Sequence, residues 1–241
     1  MIEFENVSMG FDKAVLNNIT FSLPTGSMLG LIGQGGVGKS VLLKLCCGLL
    51  EPNAGRVSLG REALTGQSEE HLARMRQEIG MAFQNTALFD FMSVGENIAF
   101  PLRQKGGLSD IEIDARVLDC LTRVSLPTIA NLAPSALSGG MKKRVALARA
   151  MIHRPPFIFC DDPTAGLDPV TSSRIFRMID EMRTQYGSTC VVVSHDTGGL
   201  FKRCDFVGLL RDGAMAYFGP TQDAMSHPTV AEFTLGKART Q

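Results

Sequence analysis

The sequence predicts an α/β fold built on a parallel sheet, and three observations carry that prediction. A nearly all-apolar run at 28–32 passes directly into a glycine-rich loop at 33–40 and then into helical-looking residues 41–49. A strand covered on both faces reads as such a continuous apolar run. In the last third, two more apolar runs, 157–160 and 190–193, flank a helical stretch at 171–186. Strand, helix, strand in that order argues for parallel pairing. Finally, 241 residues with 44% hydrophobic and 20% charged composition suit one large domain or two closely packed lobes, and exclude a disordered or fibrous chain.

The first 60 residues contain short strand patterns at 2–7, 18–23, 28–32 and 56–59. The middle, about 84–154, reads as mostly helical. Two capping boxes, Ser93 with Glu96 and Ser109 with Glu112, each precede an apolar-periodic segment. The polar stretch 103–107 between them reads as a loop. Residues 206–210 and 214–217 read as a closing hairpin, with Asp212-Gly213 at its turn.

Charge and cysteine usage narrow the function classes. The 24 Lys and Arg balance 24 Asp and Glu, which argues against non-specific nucleic-acid binding, because that needs excess positive charge. The six cysteines, Cys46, Cys47, Cys120, Cys160, Cys190 and Cys204, form no C-x-x-C pair and sit mostly in apolar runs. They read as reduced core thiols of a cytosolic protein. Glu3 and Glu5 stand where a signal peptide needs basic residues. No apolar run approaches the roughly 18 residues of a membrane span, so the chain is expected to be soluble.

Residues Gly33, Gln34, Gly35, Gly36, Val37, Gly38, Lys39 and Ser40 fit the pattern G-x-x-x-x-G-K-[ST] in full. Glycines let the backbone curl so that successive N–H groups face phosphate oxygens, and the following helix adds its positive end. Lys39 is expected on the β/γ-phosphates and the Ser40 hydroxyl on Mg²⁺. A second anion-ready element is Leu137-Ser138-Gly139-Gly140-Met141, which opens the cationic helix Lys142-Lys143-Arg144. One nucleotide already held at 33–40 has no need of it within the same chain.

The combination resembles the ATP-binding cassette (ABC) family, whose chains dimerise head to tail so that each signature loop closes on the partner's nucleotide. The resemblance runs from about residue 2 to residue 218. It implies a P-loop NTPase cassette with a parallel-sheet core lobe (1–84 and 155–241), an antiparallel β subdomain and an inserted helical lobe (85–154). It gives Ser138, Gly139 and Gly140 the signature role, Asp161 and Gln84 the Mg²⁺ shell, Asp168 the D-loop position, and His195 the contact to the γ-phosphate. Phe11 falls where the family stacks an aromatic on adenine, although it reads equally well as core. ATP and Mg²⁺ are the implied cofactors.

One position departs from the family. The residue after Asp161 is usually a glutamate that orients or deprotonates the attacking water; here it is Asp162. The carboxylate is kept but retracted by about 1.5 Å, one C–C bond, and a misplacement of about 1 Å can cost on the order of 100-fold in rate. Slow hydrolysis is therefore expected, unless the closed dimer shifts the backbone to compensate.

Residues 40–137 are too few for the coiled-coil insertion of DNA-repair ABC proteins and show no heptads. A transporter subunit is the expected class. Phe83 to Asp90, Phe91-Met92-Ser93-Val94, Glu96 to Leu102 and the Met141 after Ser-Gly-Gly resemble the Mce-associated, Mla-type lipid-transport ATPases. That resemblance implies a second copy of the chain, a multi-span permease and an Mce-domain lipid-binding protein as partners, at the cytoplasmic face of the bacterial inner membrane. Apolar Ala87-Leu88-Phe89 offers a groove for a permease helix, or else packs the helical lobe. An amino-acid-type importer shares much of this pattern and is the alternative, as is a nucleotide-gated scaffold with very slow turnover. The tail at 230–233 reads as an amphipathic end-piece.

Overall fold

The protein is described by a computed structural model covering residues 1–235. It forms two compact units, Met1–Arg76 with the chain from Thr189 onward, and Gln77–Ser188. The chain opens with β1 (Ile2–Gly10), β2 (Ala14–Leu23), β3 (Met28–Gly33), α1 (Lys39–Cys46), β4 (Ala54–Leu59), β5 (Glu62–Ala63) and α2 (Glu69–Arg76). The second unit supplies β6 (Ile79–Ala82), α3 (Val94–Lys105), α4 (Asp110–Arg123), α5 (Gly139–Met151), β7 (Phe157–Asp161) and α6 (Pro169–Tyr186). The chain then returns to the first unit with β8 (Thr189–Val193), α7 (Thr197–Phe201), β9 (Phe206–Arg211), β10 (Ala214–Pro220), α8 (Thr221–Ala224) and α9 (Pro228–Leu235).

In the first unit, β2, β1, β4 and β5 make an antiparallel sheet in that order, and β3 lies between β8 and β9 with β10 outside β9. β3 runs parallel to both neighbours and β10 pairs antiparallel to β9. Every residue of β3 is buried, as its continuous apolar sequence requires. Phe21 of the antiparallel sheet and Phe218 of β10 meet with ring centroids 5.2 Å apart, joining the two sheets of this unit.

β1 and β2 extend further than their alternation predicts, and the reason is the same in both. Buried positions in β1 switch from Ile2 and Phe4 to Val7 and Met9, and in β2 from Leu16 to Ile19, Phe21 and Leu23. The parity changes at Asn6 and Asn18, each at φ 52°, where the register slips in a bulge. Asparagine tolerates this left-handed conformation better than most residues. Gly55 of β4 sits against the first bulge so closely that a Cβ would lie 2.4 Å from the Asn6 carbonyl oxygen, at φ +84°.

In the second unit β6 and β7 pair in parallel, and both predicted capping boxes form. Ser93 accepts from the Glu96 N–H while Glu96 accepts from the Ser93 N–H, and Ser109 and Glu112 do the same at the head of α4. The loop expected at 103–107 is shorter than read: Arg103, Gln104 and Lys105 continue α3 despite Pro101. Basic side chains favour a helix C-terminus, and Lys105 pairs with Glu78 at 3.0 Å. Gly106 and Gly107, at φ 71° and 83°, make the break. The expected hairpin at 206–217 is β9 and β10. The end-piece at 230–233 falls within α9.

All six cysteines are free and buried, and burial pushes the Cys47 thiol up to about 12 and Cys120 to about 11. Among the described residues no helix is long and apolar enough to cross a membrane.

Gly55→Ala should destabilise by at least about 2 kcal/mol, because it combines a backbone clash with left-handed strain. Gly35→Ala, with open space around it and no left-handed φ, should leave the denaturant midpoint unchanged. Equal midpoints for the two variants would refute the bulge argument.

Candidate active site

The candidate residues fall into one group in each unit. In the first, β3 delivers the chain into a loop whose turns only glycine can make. A Cβ on Gly33 would lie 2.5 Å from the Leu210 carbonyl oxygen, and one on Gly38 would lie 2.7 Å from Leu16 Cδ2, both at left-handed φ. α1 then begins without a side-chain cap and with no acid in its first turn. Its first N–H groups lack intrahelical partners and carry the positive end of the helix. Lys39 is only 6% exposed, and its Nζ donates to the Gly33 and Gln34 carbonyls, each at 2.8 Å. The ammonium is thereby bent back along the loop. Ser40 and Gln34 are exposed.

His195 leaves β8 beside this loop. Leu31 of β3 is in register with Val193, and the Ser194 N–H donates to the Leu31 carbonyl at 3.4 Å. Glycine loop and histidine therefore share the carboxyl edge of adjacent parallel strands, where α/β sheets bind ligands. His195 is exposed, while the following Asp196 caps α7 through the Gly199 N–H at 3.0 Å. Phe11, in the turn between β1 and β2, is 65% exposed, so the core reading fails and its ring is available for stacking.

In the second unit, β6 and β7 run in parallel with Ala82 in register with Cys160. Gln84 and the Asp161–Asp162 pair thus leave one carboxyl edge. Asp161 is half-buried and Asp162 is 7% exposed. Asp162 adopts φ 45°, a left-handed conformation that aspartate accepts more readily than longer side chains. Asp168 accepts from the Val170 and Thr171 N–H groups at 3.0 Å each, capping α6, and its bonds from Thr171 hold its carboxyl below the usual range.

The signature residues pack beside that D-loop segment. Ser138 caps α5, accepting from the Met141 N–H at 3.3 Å; Gly139 is open on all sides, and Gly140 faces Leu167 and Thr171. Lys143, which the sequence reading did not single out, donates to the Ala165 carbonyl. Burial pushes its ammonium down, opposed by the nearby Asp162 charge.

Two further residues were missed. Arg149 of α5 is 8% exposed and donates to the Ala87 and Thr86 carbonyls at 2.6 and 2.8 Å. Asn97 of α3 is fully buried; it accepts from the Phe89 N–H at 2.8 Å and donates to the carbonyls of Phe89, Met92 and Ser93. Both strap the segment that follows Gln84. The signal was present: each is a polar side chain interrupting an apolar helical stripe, Val94–Ile98 for one and Val145–Met151 for the other.

The donors suit a magnesium nucleotide. Glycine turns that leave no room for a Cβ, an uncapped helix start and a lysine fit polyphosphate. A hydroxyl and a carboxylate fit Mg²⁺, which takes few protein ligands and keeps waters and phosphate oxygens. Among the described residues there is no group of three or more His, Cys, Asp or Glu that could hold a metal ion.

A family profile described as ABC transporter matches residues 16–165. The chain belongs to the ABC transporter family. It is 38% identical over 233 residues to the methionine import ATP-binding protein MetN 2 of Pseudomonas aeruginosa strain UCBPP-PA14, covering 95% of this chain and 70% of that protein. Its fold matches the ATP-binding cassette MJ0796 in a dimeric post-hydrolysis state bound to ADP and Pi, with TM-score 0.86, 30% identity, and coverage of 92% of this chain and 99% of that one. It also matches cbiO1 of Clostridium perfringens, part of the transporter complex cbiONQ, with TM-score 0.85, 28% identity, and coverage of 98% and 94%. The chain has the P-loop NTPase cassette fold, and it is an ATPase that uses ATP with Mg²⁺. The expected kinship to Mce-associated lipid ATPases, with its Mce-domain partner, finds no support in these relatives; the amino-acid importer named as the alternative does.

Lys39→Ala should lose nucleotide affinity by at least about tenfold, whereas Asp162→Asn should keep binding and lose hydrolysis by about 100-fold or more. Titration calorimetry and phosphate release separate the two. Asp162→Glu restores the missing methylene and should raise turnover; an unchanged rate would show that the backbone already compensates.

Proposed function

We propose that this chain is the ATP-hydrolysing subunit of a bacterial ABC importer for an amino-acid-type substrate, working as a head-to-tail pair on a multi-span permease at the cytoplasmic face of the inner membrane. The observation that carries the dimer is a chain with two phosphate-ready elements, the loop at 33–40 and the signature at Ser138–Gly140, where one nucleotide needs only the first. The importer reading is supported by the 38% identity to a methionine import ATP-binding protein.

In this reading residues 85–154 form the signature lobe, and residues 1–84 with 155–241 form the core. Gly33 to Ser40 cradle the β- and γ-phosphates with backbone N–H groups, and Lys39 swings from its two carbonyls to neutralise them. Ser40, Asp161 and Gln84 hold Mg²⁺, which when bound supplies positive charge against the developing negative charge of the phosphoryl group. Asp162 accepts a proton from the attacking water and His195 donates a hydrogen bond to the γ-phosphate. Phe11 stacks on adenine, and Ser138, Gly139 and Gly140 close on the partner's nucleotide, with Asp168 at the dimer seam.

The permease is engaged through the segment after Gln84, where Phe91 is 82% exposed and stands 5.6 Å from Phe89 by ring centroid. An exposed aromatic on a strapped loop suits a helix laid across it. A lipid transporter is the second reading, favoured by Met141 in the signature and by the 83–102 sequence.

Co-reconstitution with an amino-acid importer permease and, separately, with a lipid-transport permease distinguishes them. Turnover should rise severalfold with an amino-acid-loaded binding protein and stay flat with phospholipid carriers. Movement of labelled phospholipid under ATP would replace the importer reading with the lipid one, and Phe91→Ser should abolish stimulation in either case.

A further inference from the structure

The turn that follows Gln84 is strained and is held by a buried charge. Thr86 and Ala87 are consecutive non-glycine residues at φ 61° and 48°. Their carbonyls are gathered by one guanidinium, that of Arg149, at 2.8 and 2.6 Å. No carboxylate pairs with Arg149 among the described residues; its other neighbour is the Phe89 ring, 5.8 Å from the guanidinium carbon to the centroid. A buried cation satisfied only by backbone carbonyls and an aromatic face is costly to maintain. A β-branched residue in a left-handed turn is also costly. Each needs the other: without Arg149 the two carbonyls lose their donor, and without the turn the guanidinium lacks partners.

Arg149 also occupies the last turn of α5, whose first residues are Gly139 and Gly140. Ten residues of helix span about 15 Å, and the backbone hydrogen bonds make that span stiff. One end of α5 carries the signature, and the other grips the residues two and three positions past Gln84. On the far side, Asn97 fixes Phe89 through both its N–H and its carbonyl, so the segment is pinned at both ends, with the strain at the end that Arg149 holds.

We propose that Arg149 is a positioning residue that holds this turn and hands movement of the signature helix to the Gln84 segment. The inference deepens the proposed function and rests on Ser138–Gly140 engaging a nucleotide phosphate. Burial lowers the Arg149 proton affinity from its ordinary value, yet a guanidinium remains charged in proteins, so the grip is insensitive to pH.

Hydrogen exchange of amides 84–92, with and without Mg²⁺ and ATP in the Asp162→Asn background, tests it. The parent should show a nucleotide-dependent change in protection across this segment. Arg149→Met should speed exchange at Thr86 and Ala87 by at least about tenfold and abolish the nucleotide response. Arg149→Lys, a point charge able to hold one carbonyl but not the fork, should give an intermediate result and guards against a misfolded Met variant.

Adding Ala87→Gly to Arg149→Met is decisive. Glycine takes the left-handed turn without a Cβ penalty, so basal protection should return while the nucleotide response stays lost. If the response returns as well, Arg149 is a staple only and the inference falls. Unchanged exchange in Arg149→Met overturns it too. Calorimetry on the parent keeps the two levels apart: absent nucleotide binding sinks the proposed function, while binding with a silent 84–92 segment sinks this inference alone.

Discussion

Close approach of backbone to backbone at Gly33 is the constraint on which the phosphate-ready architecture depends. β3 is central in its unit, with β8 on one side and β9 on the other, and at its end Gly33 rests against the Leu210 carbonyl of β9 with no room for a side chain. That contact fixes where the chain must turn. Gly38 repeats the device against Leu16 of β2, so the loop is clamped between the two sheets of its unit. The start of α1 is thereby aimed by packing. The Lys39 ammonium, bridging two carbonyls of its own loop, closes the arrangement from inside.

Such a site makes net charge a poor guide. Lys and Arg balanced by Asp and Glu look unpromising for a polyanionic ligand, but the charge of a nucleotide can be met by oriented N–H groups, a helix end, a lysine and Mg²⁺. These are local dipoles that do not enter a formal count of 24 against 24. What a neutral chain lacks is the long-range field that draws in nucleic acid.

How much of this was legible in the sequence depends on the kind of signal. The glycine loop, β3 and both capping boxes were readable because their chemistry is local: fixed spacing, one apolar run, a serine three residues before a glutamate. β1 and β2 were read short because alternation assumes constant parity, and Asn6 and Asn18 reverse it at a bulge. β6 was missed because four residues, Ile-Gly-Met-Ala, make too brief a run to stand out. Candidate residues with their own chemistry, such as Lys39 and Asp161, stand out in the sequence because a motif of fixed spacing or an apolar strand leads into each. Those that hold other residues gave a fainter signal, a polar side chain within an apolar stripe, and the partners of Arg149 and Lys143 lie 62 and 22 residues away in sequence. The transported substrate was least legible, since a cassette carries little of its permease's specificity: Met141 pointed toward lipids while whole-chain similarity points toward methionine import.

Strain is distributed unevenly among these residues, and its location carries the functional argument further than burial does. Left-handed non-glycine residues occur at Asp162, where a carboxylate leaves β7, and at Thr86 and Ala87, just past Gln84, which leaves β6. At Asp162 the strain bears on the choice of amino acid. A left-handed position costs about 1–2 kcal/mol for most residues and less for aspartate, so aspartate fits this backbone better than glutamate would. Thr86 and Ala87 are neither glycine, asparagine nor aspartate, and their turn is offset from outside by the two Arg149 hydrogen bonds. The two sites are thus held by different means, Asp162 by its own residue type and the Thr86–Ala87 pair by a guanidinium from α5.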